Sequence, residues 1–193
     1  MTTKKVSKID ALASYKSALE TAFAERVAKE QALTKEHCAS VLRAHLKDIN
    51  HDFILSMLVE NNVALTFINK NEKQIERMND VLRALAKVAK LNKYAVAMLR
   101  TARAFHDAQE LVTRNELVAC CSKDSARSSA RDALIERTAT IQSSGTINAQ
   151  SSMTINALVA LNALVESFDV RGKVYKFNAD SKIALDYLAL AQV

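Results

Sequence analysis

The chain has 193 residues, 49% hydrophobic and 25% charged, with 27 Lys and Arg against 21 Asp and Glu, a formal charge of +6. That length allows one large domain or two small ones with real cores. Two glycines (Gly145 and Gly172), no proline and no tryptophan exclude a Rossmann fingerprint, a P-loop and a kinase-type phosphate loop, all of which need clustered glycines.

A chain so poor in turn-makers and so rich in Ala, Leu and Lys is expected to be mostly helical. Ile9, Leu12, Leu19, Phe23 and Val27 recur at helical spacing and predict a long amphipathic helix over 8–33. Its narrow, alanine-padded seam suits helix–helix packing or a short coiled coil, so self-association is expected. Thr34 is placed to cap a second helix carrying Val41, Leu42, Leu46 and Ile49. A third starts near Asn50 with Ile54 and Leu58. Residues 63–68 fit a short strand or a continued helical register, and we take the helical reading.

Asn71 can cap the next helix, with Ile75, Met78, Leu82, Leu85 and Val88 inward. Asn92 is a break, after which Tyr94, Met98, Leu99, Ala102 and Phe105 resume the pattern. Thr113-Arg114-Asn115-Glu116 is a capping box that starts another helix. A small-residue helix is expected from the serine-rich 122–129 stretch to about Thr138. Gln142-Ser143-Ser144-Gly145 reads as a linker or turn. Ser151 or Ser152 then caps a helix carrying Ile155, Leu158 and Leu161, with Asn162 at its left-handed C′ position. Two strands follow, 164–170 and 173–177, around Arg171-Gly172, with Phe168 and Val170 alternating on one and Tyr175 and Phe177 on the other. Ser181 caps a terminal helix with Ile183, Tyr187 and Leu188.

The expected fold is therefore mainly α: a multi-helix N-terminal bundle with a small C-terminal unit of helix and β-hairpin. The expected division is a helical, oligomerising region carrying the basic stripe (1–112) and a C-terminal region (113–193). Ser151, Ser152 and Thr154 at a helix start, the Ala157–Leu161 body, the turn at Asn162 and a short hairpin with basic residues resemble the second half of a winged helix-turn-helix module. The resemblance covers 146–178. It implies that the helix enters the major groove and the hairpin lies along the backbone or minor groove. On that basis Ser152, Thr154, Asn156, Arg171, Lys173 and Lys176 are candidate nucleic-acid contacts. Two departures stand out: no Arg or Lys occurs from Ser151 to Glu166, and Asn162 replaces the usual glycine.

Catalytic and metal chemistry find little support. His37, Cys38 and His45 lie on one expected helix, but His37 and His45 are roughly 12 Å apart along its axis, too far for a compact metal shell. Cys120 and Cys121 read as small buried thiols. Glu72, Glu76 and Asp80, four apart beside Lys73, Arg77 and Arg83, read as helix-stabilising ion pairs. No Ser/His/Asp or Cys/His grouping has supporting context. No enzyme activity, cofactor or metal is expected.

The charge distribution is more telling. Residues 1–69 hold 9 basic and 8 acidic groups, 70–103 hold 9 and 3, and 104–193 hold 9 and 10. The net charge is thus concentrated in the middle segment, with no acid between Val81 and His106. Arg83, Lys87 and Lys90, at i, i+4 and i+7, would form one outward stripe that Lys93, Arg100 and Arg103 extend. Tyr94 and Phe105 lie in the same segment and offer stacking surfaces. Lys4, Lys5 and Lys8 add a basic arm. Repeated cations fit a polyanion.

We therefore expect a non-enzymatic, oligomeric nucleic-acid-binding protein, with DNA favoured, of accessory or regulatory and bacteriophage type. The alternative is a helical interaction protein that docks an acidic protein partner. No membrane-spanning run and no apolar signal segment are evident. Three cysteines without a CxxC pair fit a reducing, cytoplasmic setting.

Overall fold

A computed structural model describes residues 7–29, 50–63, 72–121, 130–135 and 144–192. The elements are α1 (Lys8–Lys29), α2 (His51–Glu60), α3 (Glu72–Leu85), α4 (Lys93–Asp107), β1 (Val112–Thr113), α5 (Arg114–Ala119), a 3-10 turn (Ala130–Leu134), α6 (Ser144–Ala160), β2 (Leu164–Asp169), β3 (Gly172–Phe177) and α7 (Lys182–Leu190). The fold is mainly α, with an N-terminal helix bundle and a small C-terminal unit of helix and hairpin. The segments expected to carry Val41 to Ile49, the strand-or-helix stretch from 64 to 68, the cap at Asn71, the histidines at 37 and 45 and the 122–129 helix lie outside the described residues.

Most predicted starts are present. Asn50 accepts from the Phe53 N–H at 3.1 Å, and Asn92 from those of Tyr94 and Ala95. Thr113 and Glu116 form a reciprocal capping box, and Ser181 accepts from the Ala184 N–H at 3.3 Å. Each satisfies an otherwise orphaned first-turn donor.

The helix ends share a device that the glycine shortage makes necessary. Asn62, Lys87, Gln109 and Asn162 all take left-handed φ values, from 50° to 61°. At each, the next N–H reaches back to a carbonyl five residues earlier: Val63 to Leu58, Val88 to Arg83, Glu110 to Phe105 and Ala163 to Leu158. This is the Schellman arrangement, usually built on glycine. Of the four, the sequence predicts only Asn162. Asparagines also join these ends: Asn162 Nδ2 donates to Asn61 O at 3.2 Å, Asn178 Nδ2 to Asn162 O at 2.8 Å and Ser181 Oγ to Asn61 Oδ1 at 3.2 Å.

α1 packs on α2 and α3, α3 runs against α6 and α7, and α4 lies beneath β3. One apolar core joins these layers, from Tyr15, Ile54 and Met78 through Leu99 and Phe105 to Leu158, Phe177 and Tyr187. α1 docks through Ala11, Tyr15 and Ala18, while Ile9 points to solvent. This corrects the expected seam at its N-terminal end. The decisive contact is Tyr15, whose phenol donates to Asn79 Oδ1 at 2.5 Å and turns the helix by that face. The side chains of Leu19, Phe23 and Val27 lie outside the described residues.

Two further expectations are corrected. α3 stops at Leu85, so Val88 is exposed rather than inward. α6 begins at Ser144, not at Ser151 or Ser152, so Ser144 and Gly145 lie inside its first turn. Ser152 and Thr154 sit mid-helix and bond the carbonyls four residues back, which serine and threonine can do without breaking the helix. Phe168 and Val170 project beyond the sheet's packed half, at 71% and 104% exposure, whereas Tyr175 and Phe177 are buried. On β3, Val174 opposite Ser167 is still buried, so the exposure past Glu166 is that of β2 and the turn.

Candidate nucleic-acid interface

The two-residue β1 pairs antiparallel with β3, Val112 opposite Tyr175, and β3 pairs with β2 along six residues, giving the order β1-β3-β2. Together with α4, α5 and α6 this gives, over the described residues 93–121 and 144–177, a unit of helices and hairpin consistent with a winged-helix-like shape. It reaches further back than the 146–178 segment that suggested it. β1 carries no strand signal of its own, being two residues before a helix cap. It forms because Val112, fully buried, meets Tyr175 across the ladder.

In this unit α6 is the third helix, and its 17 residues include no charged side chain. Ile155, Ala157, Leu158 and Leu161 at its C-terminal end are buried, while Asn148, Ala149 and Asn156 are exposed and Ser152 is half-buried. Asn148, Ser152 and Asn156 are four apart and share one face. Arg114, at the start of α5, donates from Nη2 to Ser152 Oγ at 2.5 Å. α3 flanks the helix: Gln74 Nε2 donates to Asn156 O at 3.3 Å, and Arg77 bonds both Asp80 and Gln150. Thr154 is buried and bonded to Gln150 O, so its hydroxyl does not face outward with Ser152 and Asn156.

No protein-family model, no curated protein and no solved structure matches this chain.

The six candidate cations from Arg83 to Arg103 do not lie on one helix. Arg83 is half-buried on α3, its Nε enclosed. Lys87 occupies the left-handed cap and Lys90 the following connection, both exposed. The straight stripe over Arg83, Lys87 and Lys90 is thus corrected: the Schellman turn intervenes, and the Asn92 N–H donates at 2.8 Å to the Tyr187 hydroxyl, which pins the start of α4. Lys93, Arg100 and Arg103 do share a face of α4, at i, i+7 and i+10. Arg100 Nη2 donates to Ala191 O, 2.8 Å away at the end of α7, and Arg103 lies 3.9 Å from Asp107. With Ala104, Asp107, Leu188 and Gln192, these two arginines line an open cavity of about 400 Å³. Tyr94 is half-buried and Phe105 fully buried, so Phe105 serves the core.

The hairpin cations are engaged locally. Arg171 donates to Asp169 Oδ2 from Nε at 2.9 Å and from Nη2 at 2.5 Å. Lys173 Nζ lies 2.9 Å from Glu166 Oε1 and 5.8 Å from the centre of the Phe168 ring. The hydrogen bonds from Arg171 hold the Asp169 carboxyl below the usual carboxylate range, and Glu166 pushes the Lys173 ammonium up. Lys176 is exposed on the other face, across from Val165.

Sequence reasoning missed Arg131. From the 3-10 turn it bonds Glu116 through Nε at 2.8 Å and Nη2 at 3.2 Å, and Leu111 O at 2.9 Å. It also pairs with Glu110 and stacks 4.8 Å over the Phe105 ring. It ties the turn to the capping box of α5. No spacing rule links positions 116 and 131, so nothing local announces it.

Cys120 and Cys121 are buried as expected, their sulfurs 3.7 Å apart, with Cys120 Sγ donating to Leu117 O at 2.9 Å. Hydrogen bonding with Cys120 outweighs burial and draws the Cys121 thiol below its ordinary value. Among the described residues no group of three or more His, Cys, Asp or Glu is placed to hold a metal ion, and no helix is long and apolar enough to cross a membrane.

Proposed function

We propose that this chain is a non-enzymatic, cytoplasmic nucleic-acid-binding protein of accessory or regulatory type that takes duplex DNA on its winged-helix-like unit. The observation that carries the reading is the outward row Asn148, Ser152 and Asn156 on the third helix, with Arg114 beside it. Amide side chains can bond adenine edges bidentately in the major groove, and hydroxyls accept either base. The helix has no cation with which to read guanine, so affinity comes from elsewhere. Lys87 and Lys90 in the α3–α4 connection and Lys93 at the start of α4, all exposed, are suited to phosphates.

The test is fluorescence anisotropy with duplex DNA, single-stranded DNA and RNA of matched length, each at low and physiological salt. Duplex preference with a steep salt slope supports the reading, and Asn156→Ala should then weaken discrimination among sequences without changing that slope. Absence of duplex binding at low salt overturns it.

A second reading has an observation in its favour. The hairpin's Arg171 and Lys173 are already paired with Asp169 and Glu166, as suits a surface that meets protein instead of a polyanion. An acidic protein partner would then dock on the lysines of the connection. A complex with such a partner that survives physiological salt, with no duplex binding, would favour this alternative.

A further inference from the structure

Among the described residues no strand lies beyond β2, which is paired on one side only. Its register with β3 is unbroken, from Leu164 opposite Phe177 to Asp169 opposite Gly172. Edge strands are ordinarily guarded by proline, lysine, a bulge or extreme shortness. β2 has none of these: it is six regular residues, Leu-Val-Glu-Ser-Phe-Asp. Val165, Glu166, Ser167 and Phe168 are all exposed, and Val170 follows fully exposed in the turn. Half of the large exposed hydrophobics among the described residues lie on this one hairpin: Val165, Phe168 and Val170, against Ile9, Val88 and Leu185 elsewhere.

The electrostatics narrow the occupant. Glu166 and Asp169 are matched within the hairpin by Lys173 and Arg171. What the edge offers is therefore an open backbone ladder and apolar side chains, with little uncompensated charge.

We propose that β2 pairs antiparallel with β2 of a second copy of this chain, joining two three-stranded sheets into one of six strands across a two-fold axis. Closed two-fold pairing is the commonest form of self-association, and it requires a self-complementary surface. An axis normal to the sheet must pass through one residue and its own symmetry mate. Centring on Glu166 would set two carboxylates opposite each other, which is unfavourable. Centring on Ser167 sets hydroxyl opposite hydroxyl, Glu166 opposite the partner's Phe168, and Val165 opposite the partner's Asp169.

In that register each apolar side chain faces a partner carboxylate, and a lysine of β3 stands behind it. Lys173 lies across β3–β2 from Phe168, which faces the partner's Glu166, so lysine and carboxylate are two strands apart with a phenyl ring between them. On the other face Lys176 lies across from Val165, which faces the partner's Asp169. Two strand spacings are about 9–10 Å, within reach of lysine side chains from both sides. This pairing is separate from the association expected of α1, whose N-terminal residues Ala11, Tyr15 and Ala18 pack against the chain's own helices. The inference stands apart from the nucleic-acid reading.

Sedimentation velocity of the full chain tests it, over roughly 1–100 µM, the range of modest interfaces. The wild type should dimerise. Phe168→Lys and Val165→Lys should each abolish the dimer while leaving far-UV circular dichroism and Tm unchanged, because both side chains are exposed. Ser167→Cys, oxidised with glutathione disulfide, should give a cross-linked dimer that peptide mapping assigns to position 167 in both copies. Directly opposed residues have Cα atoms about 4.5–5.5 Å apart, inside the disulfide range. Glu166→Cys should cross-link far less, its mates being diagonal at about 7–8 Å. A monomeric wild type at the highest concentration, or lysine variants that still dimerise, overturns the proposal. So does preferential cross-linking at position 166. Lysine variants that alter duplex affinity in a monomeric protein would reassign the edge to nucleic acid.

Discussion

The α3–α4 connection with the first residue of α4, and the β2–β3 hairpin, carry three cations each and use them differently. Lys87, Lys90 and Lys93 stand exposed, with no ion pair to another described residue. In the hairpin, Arg171 and Lys173 are bonded to Asp169 and Glu166, and Lys176 alone is comparably placed. The contrast follows from the position of acids. None lies between Val81 and His106, whereas a β-hairpin brings Glu166 and Asp169 beside the basic residues of its own turn and partner strand. Cations available to a polyanion are those that the fold has not already neutralised.

The largest expected effect is on binding. Changing Lys87, Lys90 and Lys93 together to Gln should lower the salt slope for duplex DNA by about 2–3 units, as loss of three phosphate contacts requires. The matching change at Arg171, Lys173 and Lys176 should lower it by about one. Equal losses in an anisotropy titration over salt would erase the distinction between the two regions.

Arginines sharpen it next, through stability. Arg131→Met strips Glu116, Leu111 and Glu110 of one shared donor, and should cost about 2–3 kcal/mol by urea denaturation, since hydrogen bonds to charged groups are the stronger kind. Arg171→Gln removes an exposed local pair, worth under ~1 kcal/mol. A smaller loss at Arg131 than at Arg171 would refute the ordering.

Titration separates interior from hairpin. Burial pushes the Tyr15 and Tyr187 phenols up, so the folded chain holds those protons longer than the unfolded chain does. Their contribution is complete below about pH 10 and is lost as pH rises through the folded values. Asp169 works the other way. Held low by Arg171, it contributes above about pH 4, and that contribution is lost as pH falls through the folded value. Tm measured against pH should decline on the alkaline side, less steeply in Tyr15→Phe. A flat profile from pH 9 to 11 would contradict it.

The smallest effect is at Lys87, which is both cation and cap. Lys87→Gly relieves a left-handed lysine and should add about 0.5 kcal/mol to stability, the gain being trimmed by the flexibility of unfolded glycine. It should still lower the salt slope by about one unit. Destabilisation in a thermal melt would mean that the lysine side chain supports the turn.

What the amino-acid sequence determined by itself was local. The helix start near Asn50, the break at Asn92, the caps at Thr113 and Ser181, the left-handed turn at Asn162 and the hairpin around Arg171-Gly172 all depend on hydrogen bonds or φ preferences spanning a few residues, and these were legible one window at a time. The inward rows of α3 and α4 were legible for the same reason, as far as Leu85 and Phe105.

Tertiary structure decided the rest, because the competing energies come from distant residues. Pairing with Tyr175 made Val112 and Thr113 a strand. Tyr15, reaching Asn79 64 residues away, set the face by which α1 docks. Contacts to α3 and α5 hold α6 at Gln150, Ser152 and Asn156, and the helix runs back over Ser144 and Gly145, which the sequence reads as linker. In a chain with almost no glycine, helices that must turn back onto a shared core ended on lysine and glutamine as well as asparagine, since burying the core outweighs about 1–2 kcal/mol of backbone strain at each such residue.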